Sequence, residues 1–211
     1  MGSPTAFSAL ENDSDPANPS PVTKPACSGA TVWFTGLPGA GKTTLSQAVA
    51  ELLRSRGVSV QLLDGDELRR GLNADLGFTR ADRDESVRRA AEVAALLAGA
   101  GIVTLVALVS PYEKGRERAR RRHAEAGLGF IEVWVSTPLA VCLERDPKGL
   151  YARAQRGELV AMTGLDDPYE CPREPEMELP MHNIAVEEAA RKVAAVLERI
   201  RPGYPWHSVA P

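Results

Sequence analysis

A glycine-rich loop between a short apolar run and a helical pattern constrains this chain more than any other feature of its sequence. Residues 31–35 (TVWFT) are typical of a buried β-strand, and residues 43–55 carry leucine and valine at helical spacing. Between them, residues 36–43 fit the pattern Gly-x-x-x-x-Gly-Lys-Thr. Backbone N–H groups of such a loop, at the N-terminus of a helix, bind phosphate oxygens. The sequence therefore predicts a phosphate-binding loop that opens a helix.

Strands and helices alternate along the rest of the chain, and the strands read as uninterrupted apolar runs. Such runs are typical of a parallel sheet that helices cover on both faces. We expect a three-layer, doubly wound α/β domain with a mainly parallel sheet, the P-loop NTPase fold of nucleotide kinases. The predicted elements after the loop are strands at 58–63, 102–109 and 130–135 and helices at 82–98, 113–125 and 186–200.

Composition predicts one catalytic domain at residues 29–203, with a disordered tail at 1–28 and a short tail at 204–211. Residues 146–180 are rich in Gly and Pro and show little periodicity, which predicts a lid. A net charge of −3 gives no broad attraction to nucleic acid or membranes. Three widely spaced cysteines and no apolar run of membrane-spanning length favour a cytoplasmic protein with free thiols.

The loop predicts the donor of a phosphoryl group and its metal. Lys42 would contact the β- and γ-phosphates of ATP, and the Thr43 hydroxyl would bind Mg²⁺. The predicted ATP-binding residues are Gly36, Leu37, Pro38, Gly39, Ala40, Gly41, Lys42, Thr43 and Thr44.

Asp64-Gly65-Asp66 ends the second strand, at the edge where open α/β sheets bind ligands. One carboxylate should face the phosphates, accepting a proton from the acceptor or holding Mg²⁺. We assign this role to Asp66, because Asp64 still belongs to the strand. A surface turn without function is the alternative.

Arginines and a lone aromatic follow this turn. Guanidinium groups suit sulfate or phosphate oxygens, although most of these arginines should be solvated. Phe78 could stack on a base, but composition alone favours a place in the core. Ser110 ends the third strand on the same edge and could bind substrate, accept phosphate or simply form a turn. In the arginine-rich helix at 113–125 we expect mostly solvated side chains, with Arg116 nearest the site.

Taken together, these residues resemble the adenylylsulfate kinase family, over roughly residues 30–179. The matching strings are GLPGAGKTT at 36–44, LDGD at 63–66, LRRGLN at 68–73, DLGF at 75–78, DR at 82–83, VRR at 87–89, SPY at 110–112, FIEV at 130–133, RDPKGLY at 145–151 and TGLDDPYE at 163–170. The resemblance implies phosphorylation of the 3′-hydroxyl of adenosine 5′-phosphosulfate by ATP. It also implies a homodimer and allows a sulfate adenylyltransferase partner.

The resemblance assigns roles to individual residues. Lys42, Asp66 and Ser110 would be catalytic, Ser110 as a candidate phosphoserine, and Thr43 and Asp66 would bind the metal. The small-molecule nucleotide substrate would be bound by Arg69, Phe78, Arg83, Ser86, Val109, Ser110, Lys148, Leu150 and Met162, with Phe78 on one side of its adenine.

Three residues depart from the family pattern: Ser86 replaces Asn, Val160 replaces a basic residue and Met162 replaces Phe. Because all three fall on the substrate side, two further hypotheses stay open. The chain could be a divergent paralogue that phosphorylates another small hydroxyl compound, or a catalytically idle nucleotide-binding subunit. The presence of Lys42, Thr43 and Asp66 argues against the second.

Overall fold

The computed structural model describes residues 29–201, which form one parallel sheet between two helical layers. The strand order is β2-β3-β1-β4-β5. The strands are β1 (Ala30–Thr35), β2 (Val60–Asp64), β3 (Val103–Ala107), β4 (Gly129–Val135) and β5 (Met177–Leu179). The helices are α1 (Lys42–Ser55), α2 (Gly65–Leu68), α3 (Arg80–Gly99), α4 (Glu113–Glu125), α5 (Leu139–Arg145), α6 (Leu150–Gln155) and α7 (Val186–Ile200).

Strand β1 is the centre of the molecule, buried at all six residues and paired with β3 and β4. Alternate side chains of a strand point to opposite faces, so β1 contributes to two cores. Val32 and Phe34 pack with Leu45, Leu53 and other residues of one cluster, and Trp33 packs with Val87 and other residues of a second. The predicted doubly wound α/β fold is therefore confirmed.

The main helices and strands lie where the apolar pattern predicts them, with shifts of a few residues at some ends. Strand β3 ends at Ala107 rather than at Val109, because the chain turns at the sheet edge to bring Ser110 into a left-handed conformation (φ 38°). The pattern missed α2, α5, α6 and β5. These elements are short, and a three-residue strand carries too little periodicity to be recognised.

The predicted tails lie almost entirely outside the described residues, 29–201. Within that range, no helix is long and apolar enough to cross a membrane.

The sequence did not reveal how deeply Arg116 is buried. Arg116 is 2% exposed, and its Nε donates to Glu132 at 2.8 Å. Its other nitrogens donate to the carbonyls of Ser110 (2.8 Å) and Glu170 (2.7 Å). Arg116 therefore contacts the cavity-lining Ser110, as expected of the arginine nearest the site, although Arg116 itself is buried and does not line the cavity. Its guanidinium can bind groups from three segments because its donors point in several directions.

We expect Arg116→Ala to lower the free energy of unfolding by about 3 kcal/mol, because the buried Glu132 carboxylate loses its main partner. Urea unfolding measures the change. Arg121→Ala is the matched control, since Arg121 makes only an exposed 4.0 Å ion pair on the same helix and should change stability by less than about 0.5 kcal/mol. Equal effects of the two substitutions would contradict this interpretation.

Candidate nucleotide-binding site

The glycine-rich loop connects β1 to α1, and its path depends on glycine. Gly39 (φ 75°) and Gly41 (φ 104°) adopt left-handed conformations that a residue with a Cβ rarely adopts. Gly41 directly precedes α1, so the free N–H groups of the first helical turn lie next to the loop. This is the strand–loop–helix arrangement that the sequence predicts.

The Lys42 ammonium is buried beneath the loop. Its Nζ donates to the carbonyl oxygens of Gly36 (2.9 Å) and Leu37 (2.8 Å). Burial lowers the pKa of Lys42 from 10.5 to about 8, against a smaller raising effect of nearby acidic groups such as Asp64. Two carbonyl dipoles replace hydration only partly, so this cation favours an anionic ligand.

The two aspartates after β2 have different partners. The Asp64 carboxylate accepts a hydrogen bond from the Thr43 hydroxyl at 2.7 Å and another from the Asp66 backbone N–H at 2.9 Å. The Asp66 carboxylate instead forms an ion pair with Lys148 of the predicted lid. Asp64 is thus a site residue that our assignment passed over, although its position at the end of a parallel strand pointed to it. The assignment of Asp66 as the metal-associated carboxylate stays a prediction.

An aromatic ring with arginines around it forms another wall of the site. Phe78 is 52% exposed, so the expectation of a core position was wrong. The Arg69 guanidinium lies 4.1 Å from the ring centroid and that of Arg83 lies 5.7 Å away. Thr79 begins α3 with a capping box that involves Asp82, which explains why Phe78 stays outside the helix, on the loop before it.

Ser110 is buried at the same edge. Its hydroxyl oxygen accepts a hydrogen bond from Trp33 Nε1 at 3.0 Å, and its backbone carbonyl is held by Arg116. The neighbouring Val109 carbonyl accepts from the Thr35 hydroxyl at 2.8 Å. These contacts immobilise Ser110, and its role as a phosphate acceptor stays a prediction.

Ser86 lies on α3, and its hydroxyl oxygen accepts a hydrogen bond from Asn73 Nδ2 at 2.9 Å. Both residues are buried, and the Asn73 Oδ1 atom has no hydrogen-bond partner. Ser86 is thereby fixed at the wall of the site.

The predicted lid contacts the loop through α6, which the sequence did not reveal. The Tyr151 hydroxyl donates to the Pro38 carbonyl at 3.0 Å. The Asp146 carboxylate accepts from the N–H groups of Tyr151 (3.2 Å) and Ala152 (2.9 Å) and so begins the helix. Leu150 is half-buried beside Tyr151. The lid segment therefore carries structure of its own where only a loop was expected.

These parts border one cavity of about 860 Å³. All the predicted substrate residues line it, and so do Asp66 and most of the loop, whereas Gly36, Leu37 and Ala40 do not. Residues to which the sequence assigned no role also line it, among them Asp64, Arg145, Asp146, Tyr151, Arg153 and Ala161.

The charge of the cavity wall differs from that of the chain. Six basic side chains line it against three carboxylates, although the net charge of the whole chain is −3. The basic residues are Lys42, Arg69, Arg83, Arg145, Lys148 and Arg153, and the acidic ones are Asp64, Asp66 and Asp146. This local excess of positive charge favours a ligand with several negative charges.

The fold and this site define a P-loop kinase-like nucleotide-binding protein. Comparison with known proteins narrows the class, since the family model for adenylylsulphate kinase matches residues 28–180. This chain belongs to the adenylylsulphate kinase family. An adenylyl-sulfate kinase of Halothermothrix orenii is 52% identical over 170 residues, which are 81% of this chain and 90% of that protein.

Two further comparisons involve Mycobacterium tuberculosis. Its bifunctional enzyme CysN/CysC is 49% identical over 170 residues, 81% of this chain, and the match spans only 28% of that longer protein. A solved structure of its APS kinase CysC in complex with AMPPNP and APS has a TM-score of 0.80 and 48% identity, covering 82% of this chain and 99% of that one.

The buried Lys42 predicts how stability changes with pH. Between pH 8 and about 10.5 the folded protein has released the Lys42 proton while the unfolded chain keeps it, so alkaline pH favours folding at this group. Relative to Lys42→Met, the wild type should gain up to about 1.4 kcal/mol per pH unit there. Urea unfolding of both proteins at pH 7.5, 8.5 and 9.5 measures the difference. A difference that stays constant with pH would contradict the lowered pKa.

Proposed function

We propose that this chain transfers the γ-phosphoryl group of ATP to the 3′-hydroxyl of adenosine 5′-phosphosulfate. One observation carries the proposal: the phosphate loop around Lys42 and the aromatic and arginine wall around Phe78 border the same cavity. A donor and an acceptor that both carry adenine and anionic groups would use these two parts. The match to a structure solved with AMPPNP and APS supports that pairing.

In the proposed reaction, a bond forms between the 3′-oxygen and the γ-phosphorus, and the bond from that phosphorus to the β–γ bridging oxygen breaks. ADP leaves, and the hydroxyl proton passes to the Asp66 carboxylate. Lys42 would leave the Gly36 and Leu37 carbonyls for the phosphates and neutralise their charge. Positioning of the two nucleotides and neutralisation of the phosphate charge would supply most of the increase in the rate of phosphoryl transfer.

The donor set next to the loop suits Mg²⁺, which prefers carboxylate, hydroxyl, water and phosphate oxygens. We propose that Thr43 holds the ion with Asp64 or Asp66, since the Thr43 hydroxyl already lies 2.7 Å from the Asp64 carboxylate. Among residues 29–201, no group of three or more His, Cys, Asp and Glu side chains is arranged as a complete metal site. The ion would therefore need phosphate oxygens, and when bound it would neutralise their charge.

We also propose cytoplasmic location, a homodimer and cooperation with a sulfate-activating partner. The last rests on the bifunctional CysN/CysC relative, in which the matching segment is part of a longer chain.

A second candidate function follows from the residues that depart from the family pattern. Ser86, Val160 and Met162 all line the cavity, so the acceptor could be another small hydroxyl compound. ATP consumption measured with adenosine 5′-phosphosulfate and with a panel of other alcohols separates the two. Turnover of another acceptor without turnover of adenosine 5′-phosphosulfate would replace the first proposal by the second.

The two aspartates after β2 should respond differently to substitution. Asp66→Asn should lower kcat at least about 100-fold, because the acceptor loses its base. Asp64→Asn should raise the Mg²⁺ concentration needed for half-maximal rate, because its contact with Thr43 changes. Steady-state kinetics with varied Mg²⁺ measure both. Glu67→Gln, an exposed carboxylate on α2, is the control and should match the wild type. Reversed effects at Asp64 and Asp66 would exchange their proposed roles.

Phe78→Ala should raise the KM for the acceptor about tenfold or more while the KM for ATP stays within about twofold, because the ring would stack on the acceptor's base only. Leu72→Ala, which also removes an exposed apolar side chain before α3, controls for surface effects. An unchanged acceptor KM in Phe78→Ala would remove the ring from the acceptor site.

A further inference from the structure

A strained turn lies in the wall of the cavity at Ala161. Among residues 29–201, the non-glycine residues with positive φ are Ser110 (38°), Asp146 (20°) and Ala161 (56°), and all three line the cavity. A residue with a Cβ is disfavoured in the left-handed region and stays there only when surrounding contacts impose it. Ala161 directly precedes Met162, so its conformation decides where Met162 lies.

Two contacts that support this conformation come from Asp166, a surface residue that does not line the cavity. Its carboxylate accepts two hydrogen bonds from consecutive backbone N–H groups, those of Ala161 at 2.7 Å and Met162 at 2.6 Å. Hydrogen bonds to a carboxylate are shorter and stronger than those between neutral groups. One side chain therefore binds both N–H groups at the start of the turn, and the N–H groups of Leu165 and Asp167 complete the turn by donating to the Met162 carbonyl (3.0 and 3.2 Å).

The other side of the same turn is held by Arg83. Its Nη2 donates to the Ala161 carbonyl at 2.6 Å, and its Nε donates to the Phe78 carbonyl at 3.1 Å. Arg83 thus bridges the Phe78 wall and the Ala161 turn. Asp167 lies 3.6 Å from Arg83 and accepts hydrogen bonds from the Tyr112 hydroxyl (2.9 and 3.0 Å), which keeps the guanidinium in place.

These contacts make the width of the acceptor site depend on Asp166. If the turn at Ala161 opened, its carbonyl would leave Arg83, and Met162, now 7% exposed and packed in the core, would lose its fixed position. The donor side has separate supports, in the Lys42 contacts and the bond from Tyr151 to Pro38. A disturbance at Asp166 should therefore affect the acceptor and leave ATP binding unchanged.

We propose that Asp166 is a positioning residue for the acceptor: its carboxylate fixes the left-handed turn at Ala161 and thereby places Met162 and the Arg83 bridge. This inference rests on the proposed function, because it takes the Phe78 side of the cavity as the acceptor site. Asp166 itself does not line the cavity, so it would act on the acceptor only through these residues.

The kinetic test is Asp166→Asn, which removes the charge and replaces one accepting oxygen by a donor. We expect the KM for adenosine 5′-phosphosulfate to rise about tenfold, with the KM for ATP within about twofold and the unfolding midpoint little changed. Glu117→Gln is the control, because Glu117 is an exposed carboxylate on α4 whose ion-pair partner, Arg121, is also exposed and lies outside the cavity wall. It should leave all three quantities unchanged.

A second substitution tests the mechanism. Glycine adopts a positive φ without strain, so adding Ala161→Gly to Asp166→Asn should recover part of the lost acceptor affinity. A merely destabilised lid would not recover, since glycine would loosen it further. Equal increases in both KM values, or no recovery in the double variant, would overturn the proposal.

Hydrogen exchange separates this inference from the proposed function, because it needs no turnover. In the wild type the Ala161 and Met162 amides should exchange slowly, and in Asp166→Asn at least one should exchange about tenfold faster. Unchanged exchange in the variant would overturn the positioning role. A wild type that shows this exchange pattern but does not phosphorylate adenosine 5′-phosphosulfate would refute the proposed function and leave the contact established.

Discussion

The burial of the Lys42 ammonium under the loop carbonyls is the constraint on which the rest of the site depends. A cation with only two carbonyl partners is costly to bury, and an anion at the helix N-terminus would offset that cost. The loop can enclose it because left-handed glycines bend the chain, and the loop in turn is held between β1 and α1. The sheet therefore serves mainly to bring one helix N-terminus and several strand ends to a single edge.

The second half of the site depends on contacts between distant segments. Arg83 joins the loop before α3 to the lid, Tyr151 joins the lid to the phosphate loop, and Arg116 joins Ser110 to Glu170 of the lid. Each of these side chains donates to a backbone carbonyl, so the position of a loop is set by a residue far away in sequence. This arrangement lets a segment with little regular structure form a defined wall of the cavity.

Sequence reasoning succeeded where the signal is local and periodic. The strand, loop and helix around residues 31–55 follow from apolar spacing and from glycine positions, and the doubly wound fold follows from repeated alternation. It failed where the question was whether a particular side chain is buried or exposed. Phe78 lies outside α3, before its capping box, and its side chain is half-exposed, and Arg116 is buried where three carbonyl and carboxylate partners converge on it. Neither outcome is visible in composition.

The sequence by itself determined the fold class, the phosphate loop and the family, because these depend on spacings within short stretches of the chain. Tertiary structure alone decided the different partners of Asp64 and Asp66, the bridge that Arg83 makes, and the support of Ala161 by Asp166. Those contacts are set by the directions of side chains on separate elements, to within a few tenths of an ångström. A linear pattern carries no information about such distances until the sheet has brought the elements together.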